Sequence, residues 1–435
     1  MRTSLLSVLW IGLLLASSPA VAQHHAQTNL VSDQAGEARF TDAHLVNAWG
    51  LVSSPTSPWW VANNGTLTST LYDGNGVARP LVVIIPGPPT GVVFNGGAGF
   101  VVRSGAASGP ARFIFATEDG KIAGWNPTVP APGSMQAIVG SDQSGRGSVY
   151  KGLAIATTTA GSFLYAADFH HGVVDMFDSS FHLVGSFTDD RLPHGYAPFG
   201  IQTIGAVIYV TFAKQDKAAH DEVPGKGRGF ADAFDPSGVL MQRIASRGNL
   251  NAPWGIALAP ATFGAFAGDL LIGNFGDGTI NAFDFDSGEF LGKVVNKSGT
   301  TIVNQGLWGL QFGLGLAGPT PGSTLINTLF FTAGPDDESH GLFGTLTVNP
   351  SSLPPPEKPK MLDPNLTVKT VVSGLDQPTS MTFLGDNDFF VLEKASGKVQ
   401  HVVNGVIHTV LTLPVNSASE RGLLGIAFRV SGLAS

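Results

Sequence analysis

The sequence contains no cysteine. That excludes disulfide staples, thiolate metal sites and lipid attachment through an N-terminal cysteine. Charge is also scarce. Charged residues make up 13% of the 435, and the formal net charge is −8. Neither nucleic acid nor an anionic membrane surface draws such a chain electrostatically. Beyond the first residues, no apolar run is long enough for a membrane helix. No stretch there holds a helical apolar period either. Glycine and proline, by contrast, are abundant at 56 and 28 residues. A chain without helices, staples or dense charge, but rich in turn formers, reads as many short strands joined by tight turns.

The strands recur. One block runs Pro253-Trp254-Gly255-Ile256-Ala257-Leu258, then Leu270-Leu271-Ile272-Gly273-Asn274, then Thr279-Ile280-Asn281-Ala282-Phe283-Asp284. Comparable blocks begin at Ala48-Trp49-Gly50, Pro89-Thr90-Gly91, Lys151-Gly152, Pro198-Phe199-Gly200 and Leu307-Trp308-Gly309. Each run is short, β-branched or aromatic, and bounded by Gly, Asp, Asn or Pro, which is strand chemistry. Self-similarity at a period of roughly 40 to 60 residues marks a β-propeller. Six blocks predict an all-β, six-bladed ring. Such a ring must protect its edges, so Thr28-Asn29-Leu30-Val31 is expected to complete the sixth blade beside the segment ending at Leu346.

The ends of the chain differ from the ring. Arg2, the apolar Leu5–Leu15 and Ala20-Val21-Ala22 have the form of a signal peptide over residues 1–22. This predicts export to the periplasm or beyond. The propeller is expected over 23–349. The proline-rich run around Ser351–Pro359 has the composition of a stiff linker over 350–360. Residues 361–435 hold about one more blade and the start of another, an incomplete propeller fragment that cannot close a ring.

Two resemblances attach to these stretches. Asn47-Ala48-Trp49-Gly50, Phe115-Ala116-Thr117-Glu118-Asp119-Gly120, Tyr165-Ala166-Ala167-Asp168-Phe169-His170 and Gly273-Asn274-Phe275-Gly276-Asp277-Gly278 lie within residues 27–350. Over that span the chain resembles a family of uncharacterised exported bacterial propellers related to the NHL type. That resemblance implies a fold and no chemistry. The tail, through Phe390-Val391-Leu392-Glu393-Lys394 and Glu420-Arg421-Gly422-Leu423-Leu424-Gly425, resembles the opening of the glucose/sorbosone dehydrogenase family. That family uses pyrroloquinoline quinone and calcium, and its catalytic part lies further along the chain. The quinone is therefore implied only if the rest of that propeller were present, and the simplest reading is a truncated gene product.

In a four-stranded blade, the approach to the first strand and the loop between the second and third strands lie on one face. Aligning the blocks predicts a channel-mouth ring of Asn47, Asn63, Glu118, Asp119, Lys151, Asp168, His170, Trp254, Asn274 and Trp308. Carboxylates, amides and indoles of this kind suit a small polar ligand or a cation. The competing reading is that each Asn or Asp caps its own turn. His170, His171, His194 and His340 are candidate ligands for a divalent metal, calcium and zinc being the ions considered for the chain, although ordinary hydrogen bonding accounts for lone histidines as well. Asp284–Glu289 reads as an Asp-rich hairpin turn, and Gly225–Gly229 as an insertion in the fourth blade. The expected function is that of an exported monomeric binding protein for a small polar ligand, a cation or a partner protein. The alternative is a propeller-type enzyme, either a metal-assisted lyase or hydrolase or the remnant of a quinone-dependent dehydrogenase. The residues do not decide between them.

Overall fold

A computed structural model describes residues 24–313, 326–349, 371–372, 375, 378–394, 396–415 and 425–426. The expected signal peptide over 1–22 and the expected linker over 350–360 lie outside these residues. The chain divides into two compact units, 1–353 and 354–435.

The first unit is all-β and propeller-like. Among the described residues it holds six main sheets, the first five antiparallel and laid down in chain order, and a two-stranded hairpin of Val101–Ser104 and Ala107–Pro110. The first comprises Ala48–Val52, Trp59–Asn63, Thr68–Tyr72 and Ala78–Ile84. The second comprises Pro89–Phe94, Phe113–Thr117, Lys121–Trp125 and Ile138–Asp142. The third is built from Tyr150–Thr158, Gly161–Asp168, Val173–Phe177 and Leu183–Phe187. The fourth follows as Tyr196–Ile204, Val207–Lys214, Gly229–Phe234 and Leu240–Ser246, and the fifth as Pro253–Leu258, Leu270–Asn274, Ile280–Phe283 and Phe290–Lys293. The sixth takes Leu307–Phe312, Thr328–Ala333 and Leu342–Val348 from the end of the unit and His24–Ser32 from its beginning. Thr28 pairs with Thr345 and Gln27 with Leu346, antiparallel, as the sequence predicts. Joining the ends of the unit in one sheet covers an edge that would otherwise be open.

Why the sheets sit side by side is written in one glycine per block. A Cβ on Gly50 would lie 2.6 Å from the Thr90 carbonyl oxygen of the second sheet, and one on Gly152 3.0 Å from the Phe199 oxygen of the fourth. On Gly91 it would overlap Leu153, on Gly200 Trp254, on Gly255 Trp308, and on Gly309 Leu51. Each glycine thus lets its own first strand approach the first strand of the next sheet, and the last one meets the first sheet again. The outer cores between neighbouring sheets are apolar. Trp60, Phe113, Phe115 and Trp125 fill the gap between the first and second, for example.

The aromatic-Asp pairs of the repeats are turn devices. The Oδ1 atoms of Asp73, Asp178, Asp235 and Asp284 accept backbone N–H bonds from Asn75, Ser180, Ser237 and Ser287, respectively. This is the Asx-turn use of aspartate, and it accounts for Asp284–Glu289 without calcium.

The second unit is one four-stranded antiparallel sheet of Pro378–Gly385, Asp388–Glu393, Lys398–Val403 and Val406–Thr412. Phe389, Val391 and Val402 form its small core. Met381, Phe383 and Val410 remain exposed. A lone sheet of this size is marginal. A chain ended at Asn349 retains every strand of the six sheets. It is expected to keep the melting temperature of the first unit to within about 2 °C and to stay soluble at higher concentration. Differential scanning calorimetry of the two lengths checks this, and a drop of many degrees would make the tail part of the ring.

Candidate functional site

At one end of the first unit, side chains from all six sheets meet around Lys151. This lysine opens the third sheet and is almost wholly buried. Its Nζ donates to Glu118 Oε1 at 2.6 Å and to Asp221 Oδ1 at 3.1 Å. Glu118 comes from the turn between the second and third strands of the second sheet, and its other oxygen accepts from Asn64 Nδ2 at 2.7 Å. Asp221 and Glu222 come from the corresponding loop of the fourth sheet. Asn47, which leads into the first sheet, donates from Nδ2 to Glu338 Oε2 at 2.6 Å. Its Oδ1 accepts from Trp308 Nε1 at 3.0 Å. Trp254 of the fifth sheet donates from Nε1 to the Lys151 carbonyl at 2.8 Å.

The floor is aromatic. Trp49 stacks on Trp308 with ring centroids 3.5 Å apart, and Trp308 stacks on Phe275 at 4.2 Å. Lys151 Nζ stands 5.3 Å from the Trp49 ring centroid, within cation–π range. Beside Gly50, Gly91, Leu153, Ile201 and Trp254 the central channel narrows to a cavity of about 30 Å³, room for about one water. The channel is therefore nearly closed beneath the Lys151 cluster of converging side chains, the cup.

Local backbone serves the cup. Asn47, Asp336, Asp337 and Glu338 all adopt positive φ, at 47°, 53°, 51° and 66°. Left-handed residues other than glycine are costly, and such strain clusters where structure holds a functional group in place. Here it turns Glu338 onto Asn47. Gly334 leaves the room in which Asn47 meets Trp308.

The electrostatics are unbalanced. Glu118, Asp221, Glu222 and Glu338 surround a single ammonium. Burial works against the Lys151 charge, but Glu118 and Glu222 outweigh it and hold the ammonium above its ordinary range. Burial also works against Asp221, yet Lys151 and His220 keep it ionised below the usual range. For Glu222 burial wins. Its carboxyl is pushed up to about 7 against the pull of Lys151, with Glu338 and Asp221 adding repulsion. Glu338 is raised for the same first reason.

A pH prediction follows. As pH rises above the ordinary value of 4.5, the unfolded chain releases the Glu222 proton while the folded chain keeps it until about 7. The unfolded state then binds fewer protons, so stability falls across that window and stays low above it. The loss is expected to be on the order of 3 kcal/mol. Glu222→Gln should flatten the pH profile of the urea midpoint and raise stability at pH 8. An unchanged profile would show Glu222 titrating normally.

Of the residues predicted from sequence, Asn47, Glu118, Lys151, Trp254 and Trp308 are brought together. The others are not. Asn63 is buried and donates to Thr68 and Thr70 of its own sheet. Asp168 accepts from the Val149 and His171 backbone N–H groups. Asn274 accepts from Asn251 N–H and donates to the Asn249 carbonyl. Asp119 takes Thr117 and Lys121. These four hold turns, an ordinary use of short polar side chains at strand ends. The candidate metal ligands are also apart. His171 bonds Asp168, His340 bonds Asp33 beside the closing strand, the His194 carbonyl accepts from Lys214, and His170 stands edge-on to His171 while its carbonyl accepts from Gln215. No group of three or more His, Asp or Glu among the described residues is placed to hold a metal ion.

Sequence reasoning missed Trp49, Asn64, Asp221, Glu222 and Glu338. The signal was present in the rule already used: Asn64, Asp221, Glu222 and Glu338 all lie in loops between second and third strands. The fourth-sheet insertion drew attention through Gly225–Gly229 rather than through the two acids before it.

No family model matches the chain. Over 330 residues it is 34% identical to uncharacterized protein R648 of Acanthamoeba polyphaga mimivirus, covering 73% of this chain and 78% of the relative. It is also 34% identical over 330 residues to uncharacterized protein L690 of the same virus, covering 73% of this chain and 84% of the relative. Among solved structures, a streptogramin B lyase aligns over 76% of this chain and 100% of its own length, with 12% identity and a TM-score of 0.44. That likeness is too distant to carry an activity across.

Proposed function

We propose, from the premise that this chain belongs to the family of the uncharacterized mimivirus proteins R648 and L690, a function read from the site itself, since those relatives bring none. The six sheets are the blades of one closed ring, and the protein is an exported, monomeric binding protein. Its ligand is a small polar molecule seated in the cup over Lys151. The carrying observation is the convergence of polar side chains from every sheet on one buried lysine. Taking charges out of water costs more than packing apolar groups would. A ring that needed only stability has cheaper ways to fill this space. The signal peptide and the reading of the tail as a separate blade-like unit are part of the same proposal.

One observation favours a second reading. A carboxyl titrating near 7 beside a buried ammonium suits proton transfer to or from a bound molecule. Turnover of a ligand, rather than retention, would move the protein into the enzyme class.

The test is a thermal-shift screen of small polar compounds against the full chain. Removing Lys151 alone would leave buried carboxylates unpaired, so the comparison is the charge-balanced double variant Lys151→Met, Glu118→Gln. Hits on the native protein are expected to vanish in the variant. Hits that shift both proteins equally would place the ligand elsewhere and end the proposal.

A further inference from the structure

We infer that the end of the central channel away from Lys151 holds a second site, for a small neutral molecule the size of a single ring that carries a hydroxyl or carbonyl group, as a phenol does. This site is separate from the cup and does not depend on it.

Three observations carry it. The first is the cavity. Past the neck at Gly50 and Gly91, the channel opens again into a space of about 130 Å³. Its walls come from the first strands of five of the six sheets. Leu51, Val92 and Gln202 border both the neck and this space, so the two are continuous. Lys151 and Ile155 lie on one strand, Tyr150–Thr158. At about 3.3 Å per residue, the space lies roughly 13 Å beyond the lysine. An apolar cavity of similar size, about 150 Å³, takes up benzene. The room here is that of one ring.

The second is the lack of charge. Val52, Val93, Phe94, Ala154 and Ile155 give apolar walls, and no charged residue lines the space. The loops that leave these strands in the first, third and fourth sheets, over 53–58, 159–160 and 205–206, hold only Ser, Thr, Pro, Gly and Ala. An ion entering here would lose water and find nothing to pair with. The space therefore selects neutral molecules, whereas the cup is dense in charge.

The third is hydrogen-bonding capacity without a partner. The Thr203 hydroxyl at the wall is buried and unpaired. The carboxamides of Gln202 and Gln311, from the fourth and sixth sheets, also line the space and make no hydrogen bond among the described residues. Gln215 and Gln242, elsewhere on the fourth sheet, are both bonded. A buried polar group left unpaired is costly. Each carboxamide offers donors and an acceptor, so one hydroxyl or carbonyl on a bound ring would be answered from either wall.

Calorimetric titration of the full chain at pH 7 tests the inference, with phenol as the probe and benzoate as the charged ring of similar size. Phenol is expected to bind in the millimolar range or tighter, and benzoate not at all. The double variant Gln202→Leu, Gln311→Leu should weaken phenol by about tenfold, the worth of one or two hydrogen bonds. Its unliganded melting temperature should hold, since neither carboxamide bonds the protein. Each single variant gives the same comparison at about threefold if the double variant is unstable. Lys151→Met, Glu118→Gln should leave phenol binding intact. The inference is overturned if phenol does not bind, if benzoate binds as tightly, if the glutamine variants keep full affinity for phenol, or if phenol binding disappears with the lysine.

Discussion

Gly200→Ala is expected to lower the stability of the first unit by about 3 kcal/mol or more, and to leave part of the protein unfolded at room temperature. A Cβ there would stand inside the Trp254 carbonyl and 2.8 Å from Thr211 Oγ1. Both neighbours are constrained: Thr211 Oγ1 already bridges Gly200 N and O, and Trp254 belongs to the first strand of the fifth sheet. Relief requires the inner strands of two sheets to separate, and a ring transmits that separation to the remaining sheets. Gly145→Ala is the control. Its Cβ would meet nothing within 4 Å, and its φ is not positive. Urea titration of the two variants compares them. Equal midpoints would mean that the inner strands are not in close contact.

Trp308→Ala is expected to cost about 3–5 kcal/mol. The indole is fully buried, packed against Trp49 on one face and Phe275 on the other. Truncation leaves a cavity and strips Asn47 Oδ1 of its donor, so Glu338 loses its anchor as well. Trp308→Phe keeps the stack and loses only the hydrogen bond, and should cost roughly 1–2 kcal/mol. Trp254→Ala should fall below Trp308→Ala, because Trp254 is 9% exposed and lines the narrow channel cavity. A thermal melt of Trp308→Ala matching the native protein would show that the aromatic floor is not packed as described. If the cup is the binding site, Trp308→Phe should also weaken any ligand that native protein retains, since Asn47 and Glu338 would no longer be held together.

Strand content, the repeating four-stranded pattern and the sheet that joins both ends of the unit were legible along the chain. The reason is local. A short β-branched or aromatic run bounded by Gly or Asp carries its conformation with it, and the aromatic-Asp turns are set by contacts two to four residues apart. Thr28–Val31 was legible as the closing strand because it was an apolar run with no sheet of its own. The site was legible only as a face. Asn47, Glu118, Lys151, Trp254 and Trp308 meet there, Asn47 from a left-handed backbone that sets it between Trp308 and Glu338. Asn63, Asp168 and Asn274 carry similar chemistry but bond within their own strand ends and loops.

The sequence by itself determined an all-β repeat chain, with a glycine near the start of each repeat. Those properties depend on residue type and spacing within about fifty positions. Which acids face Lys151 was decided only by tertiary structure. Lys151 and Asp221 are separated by 70 positions, and Asn47 and Glu338 by 291. Their meeting depends on how six sheets are turned about one axis and on three left-handed residues at 336–338. Charge, burial and repulsion then act between groups that no local pattern links, and that is where the chemistry of the cup arises.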